Sequence, residues 1–275
     1  MRAEETMAMT DAEGPPGRHA DLPGVKLWFT DSGGDAPPVV LLHPNTGTSA
    51  IWAKQVPALV AAGFRAIAFD RRGWGRSLAQ PETGTQPGSI AEDLDALADH
   101  LRLARFHLVG VAGGGFAALD YASWRPDRVL SLTVAASNGQ FSEPDLQAIY
   151  ARLTPPEFKA LPGVLREVGA TFRALDPEGT AQWVAIERTA QQQGATAQPL
   201  RSPNTYAKLA AILCPVMVMA AGADLYAPPA LMRIWAAHLP RHDWHVLPET
   251  GHAINWEQPE AFNARLLDFL QAAKV

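Results

Sequence analysis

Residues 107–116 read HLVGVAGGGF. The stretch His107 to Val111 is apolar and prone to β structure, a run of glycines follows, and a helical pattern begins near Phe116. Within it, Gly110-Val111-Ala112-Gly113-Gly114 has the spacing of a strand that turns sharply into a helix and presents its central side chain on a strained corner. Small residues two before and two after that corner are needed because the backbone crowds there. The side chain at such a corner is ordinarily a nucleophile: Ser, Cys or Asp. Here it is Ala112, and a methyl group attacks nothing.

Outward from this corner, short apolar runs alternate with helical patterns. The runs are Val39 to His43, Arg65 to Asp70, Leu130 to Ala136 and Pro215 to Ala221, with a last strand at Trp244 to Leu247. Their apolarity is continuous rather than alternating, as strands buried on both faces require. An α/β fold with a mainly parallel sheet between helical layers follows. Val25 to Phe29 reads as part of an antiparallel edge hairpin, and Pro259 to Ala272 as a closing helix with Phe262, Leu266, Leu267, Phe269 and Leu270 on one side. Between Ser137 and about Tyr206 only helical patterns broken by prolines occur. The expected organisation is a tail over 1–21, a core over 22–138 and 206–275, and a helical cap over 139–205.

Three loops follow the C-terminal ends of predicted strands, where open α/β sheets place their ligands. The corner at Ala112 is one. Asp224, in the loop after Pro215 to Ala221, can accept the Nδ1 hydrogen of a histidine and stabilise the imidazolium. His252 follows the last strand and is the candidate base. A hydrogen bond of about 2.6 to 3.2 Å between the two is expected, with Ala112 beside them. A fourth loop, His43-Pro44-Asn45-Thr46-Gly47, lies after the first core strand. This loop resembles the oxyanion loop of the α/β-hydrolases, which implies an oxyanion hole made by the N–H groups of Asn45 and Gly113; Pro44 has no N–H to give.

From Val39 to Phe269 the chain resembles the α/β-hydrolase superfamily. The resemblance rests on the glycine corner, the oxyanion loop, Asp224 and His252 in that family's chain order, and on the turn FDRRGWGRS at 69–77. The ending GHAINWEQPEAFNARLLDFL at 251–270 is similar to the capped group of lactonases, small-ester esterases and C–C hydrolases. The resemblance implies an α/β-hydrolase fold and hydrolysis of a small, largely apolar ester, lactone or vinylogous diketone. It also implies that the 69–77 turn is structural. Ala112 admits three readings: a serine replaced deliberately, a natural alanine in an enzyme whose His252 activates water, or a degenerate hydrolase that only binds. A proton-abstracting lyase, isomerase or cofactor-independent dioxygenase fits the same residues, because such chemistry needs no nucleophile at the corner.

Blander roles fit several other residues. His43 reads as a structural hydrogen-bonding group, and the cap aromatics Tyr150, Phe158, Phe172 and Trp183 read as packing. Cys214 precedes its strand, too far from the corner to replace the missing nucleophile. As the single cysteine it excludes an internal disulfide and a cysteine-based metal cage. No metal, nucleotide or other cofactor motif occurs. A net charge of −5 gives no basic footprint for nucleic acid, and no run approaches the roughly 20 apolar residues of a membrane span. The expected partner is a small carbonyl substrate, and the expected location the cytoplasm.

Overall fold

The computed structural model describes residues 16–273. Three strands open the fold: β1 (Gly17–Leu22), β2 (Val25–Asp31) and β3 (Pro38–Leu42). There follow α1 (Gln55–Ala61), β4 (Arg65–Phe69), β5 (Leu78–Ala79), α2 (Ile90–His100), β6 (Phe106–Val111), α3 (Gly113–Trp124) and β7 (Val129–Ala135). Five helices come next, α4 (Pro144–Leu153), α5 (Pro156–Lys159), α6 (Gly163–Glu167), α7 (Ala170–Leu175) and α8 (Pro177–Ala190). The chain ends with α9 (Tyr206–Ala210), β8 (Val216–Ala221), α10 (Pro229–Ala236), β9 (Asp243–Leu247), α11 (Ile254–Glu257) and α12 (Pro259–Ala272).

The strands form one nine-stranded sheet in the order β1-β2-β4-β3-β6-β7-β8-β9, with β5 paired to β2. From β4 to β9 every pairing is parallel; β1, β2 and β5 pair antiparallel. Successive residues of the central strands serve opposite faces. Val40, Leu42, Ile67, Phe69 and Leu108 pack in one core with the apolar sides of α2, α3 and α10. Val39, Leu41, Ala66, Ala68, Val109 and Val111 pack in the other, against α1 and α12. Both sets must be apolar, which is why these strands read as unbroken apolar runs. The chain order reverses between β3 and β6, so the loops after these two strands flank the crevice where such sheets bind ligands.

Two expectations shift. Residues 17–21, expected within the tail, belong to β1, whose Ala20 and Leu22 turn inward while their neighbours stay polar. Only two apolar residues in six betray this edge strand, and the hairpin closes through Pro23 and Gly24 (φ +77°). The part of the expected tail before residue 16 lies outside the described residues. The helix after the corner begins at Gly113, not near Phe116, because the glycines that read as a turn are its first turn.

Candidate active site

Ala112 caps α3 with φ +50° and ψ −114°, a conformation that costs a non-glycine residue of the order of 1–3 kcal/mol. The flanking glycines show why the chain tolerates only hydrogen there. A Cβ on Gly110 would lie 2.4 Å from the Gly114 carbonyl oxygen, and one on Gly114 would lie 2.1 Å from that of Leu42. The corner is therefore a strained, crowded strand-to-helix turn that presents a methyl side chain. Its carbonyl accepts a hydrogen bond from Ser137 Oγ at 2.8 Å.

His252 Nδ1 lies 2.8 Å from Asp224 Oδ2. The other carboxylate oxygen of Asp224 accepts the amides of Tyr226 (2.7 Å) and Ala227 (2.9 Å), so it stays in place to take the Nδ1 hydrogen. That leaves Nε2 as the nitrogen able to take a proton from elsewhere. Burial alone lowers the pKa of His252, but Asp224, then Glu167 and Glu257, outweigh it and push it up to about 9. The ring of Tyr226 lies tilted against the imidazole, its centroid 4.9 Å away.

Glu167, at the end of α6, carried no signal in the sequence. It is a buried carboxylate whose Oε2 accepts from Thr46 Oγ1 at 3.3 Å and whose backbone oxygen accepts from Ala253 N–H at 3.1 Å. Burial raises its pKa, with His252 acting the other way. Glu257 accepts the amides of Gly169 (3.1 Å) and Gly251 (2.8 Å), joining the α6–α7 turn to the His252 loop. Burial raises its pKa as well.

The loop over residues 43–47 is fixed from below. His43 is buried; its Nδ1 hydrogen goes to the Pro44 carbonyl (2.8 Å), and its Nε2 accepts the Arg71 amide (3.0 Å). Both ring nitrogens are thus used by neutral imidazole, and burial together with the Arg71 charge holds its pKa well below the usual range. Trp74 Nε1 donates to the Asn45 carbonyl at 2.7 Å. The N–H groups of Asn45 and Gly113 donate to no acceptor among the described residues. The Asn45 side chain lies so close that a Cβ on Gly113 would meet its Oδ1 at 2.2 Å.

Within the 69–77 turn, Asp70 accepts the amides of Ser49 and Arg76, and Arg72 forms a buried ion pair with Asp93 (2.6 Å). Those are structural roles. Arg71 differs: it lines a cavity of about 120 Å³ together with Asn45, Gly113, Phe116 and Gln140. A second, more apolar cavity of about 300 Å³ shares Phe116 and Gln140 and runs under α4, where Tyr150 lines it rather than only packing. The cavities meet the corner through Gly113 and Asn45, not through His252. Of the other cap aromatics, Trp183 is in the core, Phe172 packs against it, and Phe158 sits edge-on to Tyr226. Among the described residues no cluster of His, Cys, Asp or Glu could hold a metal ion, and no helix is long and apolar enough to cross a membrane.

Residues 39–265 match the alpha/beta hydrolase family. The chain is 29% identical over 264 residues to a 2-hydroxy-6-oxononadienedioate/2-hydroxy-6-oxononatrienedioate hydrolase of Paraburkholderia phymatum, covering 90% of this chain and 91% of that one. Its fold superposes on a thermophilic esterase from Thermogutta terrifontis with a TM-score of 0.79, at 25% identity over 94% of this chain and all of the other. The enol-lactonase of Burkholderia xenovorans shares the fold with a TM-score of 0.76, at 24% identity over 92% and 99% of the two chains.

Proposed function

Because the chain belongs to the alpha/beta hydrolase family, we propose that it hydrolyses a small ester, lactone or vinylogous diketone with water as the direct nucleophile. Two observations support this reading: a buried His252–Asp224 pair at 2.8 Å, and a corner after β6 that holds its strained shape around an alanine. His252 Nε2 takes a proton from water as the water oxygen bonds to the carbonyl carbon. The amides of Asn45 and Gly113 receive the oxyanion. When the tetrahedral species collapses, the bond to the leaving group breaks and the proton on Nε2 passes to that group. No acyl-enzyme forms. Loss of the nucleophile is survivable, since an oxyanion hole and substrate binding still give roughly 10³- to 10⁴-fold over water.

The test pairs two variants on an activated aryl ester. His252→Ala is expected to lower turnover by about 10²- to 10⁴-fold, with the fold intact by circular dichroism. Ala112→Ser places an Oγ at the corner and is expected to gain covalent labelling by an organophosphonate. Undiminished turnover in the first variant, or no labelling in the second, overturns the assignment. The alanine itself favours one other reading, proton abstraction by His252 with the oxyanion hole holding an enolate. An unhydrated product or substrate-dependent oxygen uptake identifies that chemistry.

A further inference from the structure

Arg71 is 3% exposed, and no carboxylate pairs with it among the described residues. Its neighbours are neutral: Nη1 donates to Asn45 Oδ1 (3.0 Å), Nη2 donates to the Pro44 carbonyl (3.2 Å), and the guanidinium lies 4.6 Å from the Trp74 ring centroid. Two of the five guanidinium hydrogens are thereby used, and Nε is buried with no partner. Buried arginines are normally paired, because an uncompensated charge away from water is costly. The other buried arginine of this turn, Arg72, obeys that rule through Asp93.

The cavity that Arg71 lines has no Asp or Glu in its wall, and it adjoins Gly113 at the N-terminal end of the twelve-residue α3, where unpaired amides add positive potential. Beyond Phe116 and Gln140 the apolar cavity begins. We propose that Arg71 is a substrate-anchoring residue and that the substrate is an amphiphilic carboxylate, its anionic group held by the Arg71 guanidinium. This rests on the hydrolytic reading only in taking the cavity as the substrate's. A carboxylate supplies acceptors for the unused guanidinium hydrogens and the missing counter-charge, which a neutral ester or lactone does not. It adds an anionic group to the otherwise largely apolar substrate expected from the sequence. The apolar body extends towards Phe116, and the carbonyl to be attacked lies by the Asn45 and Gly113 amides.

The experiment is calorimetric titration of the full chain with phenylacetate and with its uncharged analogue phenylacetamide, at pH 7 and low salt. Phenylacetate is expected to bind at least about tenfold more tightly, as a charge-assisted hydrogen bond in a buried site gives. Arg71→Met should abolish that preference while leaving phenylacetamide within about threefold. Arg71→Lys, which keeps the charge without the planar fork, should retain part of it and shows that a folding defect is not the cause. Equal binding of the two probes to the unaltered protein overturns the proposal. So does absence of binding by either at about 10 mM, or a preference that survives in both variants. Turnover is not read here. His252-dependent hydrolysis without a charge preference defeats only the carboxylate, and a charge preference without hydrolysis defeats only the hydrolytic reading.

Discussion

At the scale of single residues, the chemistry turns on which form of His252 is present. Asp224 fixes the tautomer at 2.8 Å, but together with Glu167 and Glu257 it also pushes the imidazole up to about 9. Near neutrality the ring is therefore mostly imidazolium, and only the minor neutral form can take a proton from water. If His252 is the base, kcat/KM should climb with pH and level off above about 9, because that profile reports the free enzyme. Glu167→Gln removes one of the anionic neighbours, so the midpoint of the climb should move to lower pH, with more activity at pH 7. A profile that is flat between pH 6 and 10, or a midpoint that moves upward in the variant, removes His252 from the base role. The Asp224–His252 contact and the strained corner at Ala112 were legible in the sequence because their loops follow strands in a fixed order. Glu167 and Arg71 were not. Glu167 reaches the site only because α6 folds back to Thr46, and Arg71 sits in a turn that reads as structural throughout. What distinguishes Arg71 from Arg72 is the absence of a facing acid, a fact of three dimensions.

At the scale of elements, the parallel strands were readable because burial on both faces leaves no room for polar residues in them. The same logic hid β1, which sits at the sheet edge and needs only Ala20 and Leu22 inside. The start of α3 was misplaced by three residues, since glycines suit both a turn and a crowded helix start. How the helices between β7 and β8 attach to the core has no periodic signature in the sequence, because it runs through scattered backbone and side-chain hydrogen bonds, buried carboxylates among them. Glu257 is the clearest of these: its two oxygens hold Gly169 before α7 and Gly251 before His252. Glu257→Gln leaves one acceptor and turns an amide donor towards an N–H. Hydrogen bonds to charged groups contribute about 1.5–3 kcal/mol each, so a loss of about 1–3 kcal/mol in denaturant unfolding is expected. Turnover should fall as well, as the His252 loop loses its anchor. Unchanged stability and turnover would show that Glu257 does not link the two segments.

At the scale of the whole molecule, the titrating groups predict an asymmetric dependence of stability on pH. On the acid side two opposing sets act. Burial opposes ionisation of Asp31 and Asp95, yet Arg65 in the first case and Arg125, Tyr121 and Arg128 in the second hold them below the usual range. Their contribution is present above the ordinary carboxylate pKa and is lost as pH falls. Burial raises Asp93, Glu167 and Glu257, and protonating those three relieves the folded state as pH falls towards the ordinary carboxylate pKa. Stability should therefore first rise on mild acidification and then fall below the ordinary carboxylate pKa, where the Asp31 and Asp95 contributions are lost. On the alkaline side His252 stands out, raised from 6.5 to about 9. A raised histidine contributes stability that is fully present below the unfolded pKa, near 6.5, and is lost as pH rises through about 9. The side chain is only 10% exposed, so little solvent screening applies. The shift corresponds to about 3 kcal/mol between pH 6 and pH 10. Urea unfolding midpoints measured across that range should fall steadily in the unaltered protein. His252→Ala should flatten the fall, although the variant starts less stable at pH 6 because Asp224 is left buried without its partner. A decline of the same steepness in both proteins would mean that the imidazolium–carboxylate pair does not hold the last loop to the sheet.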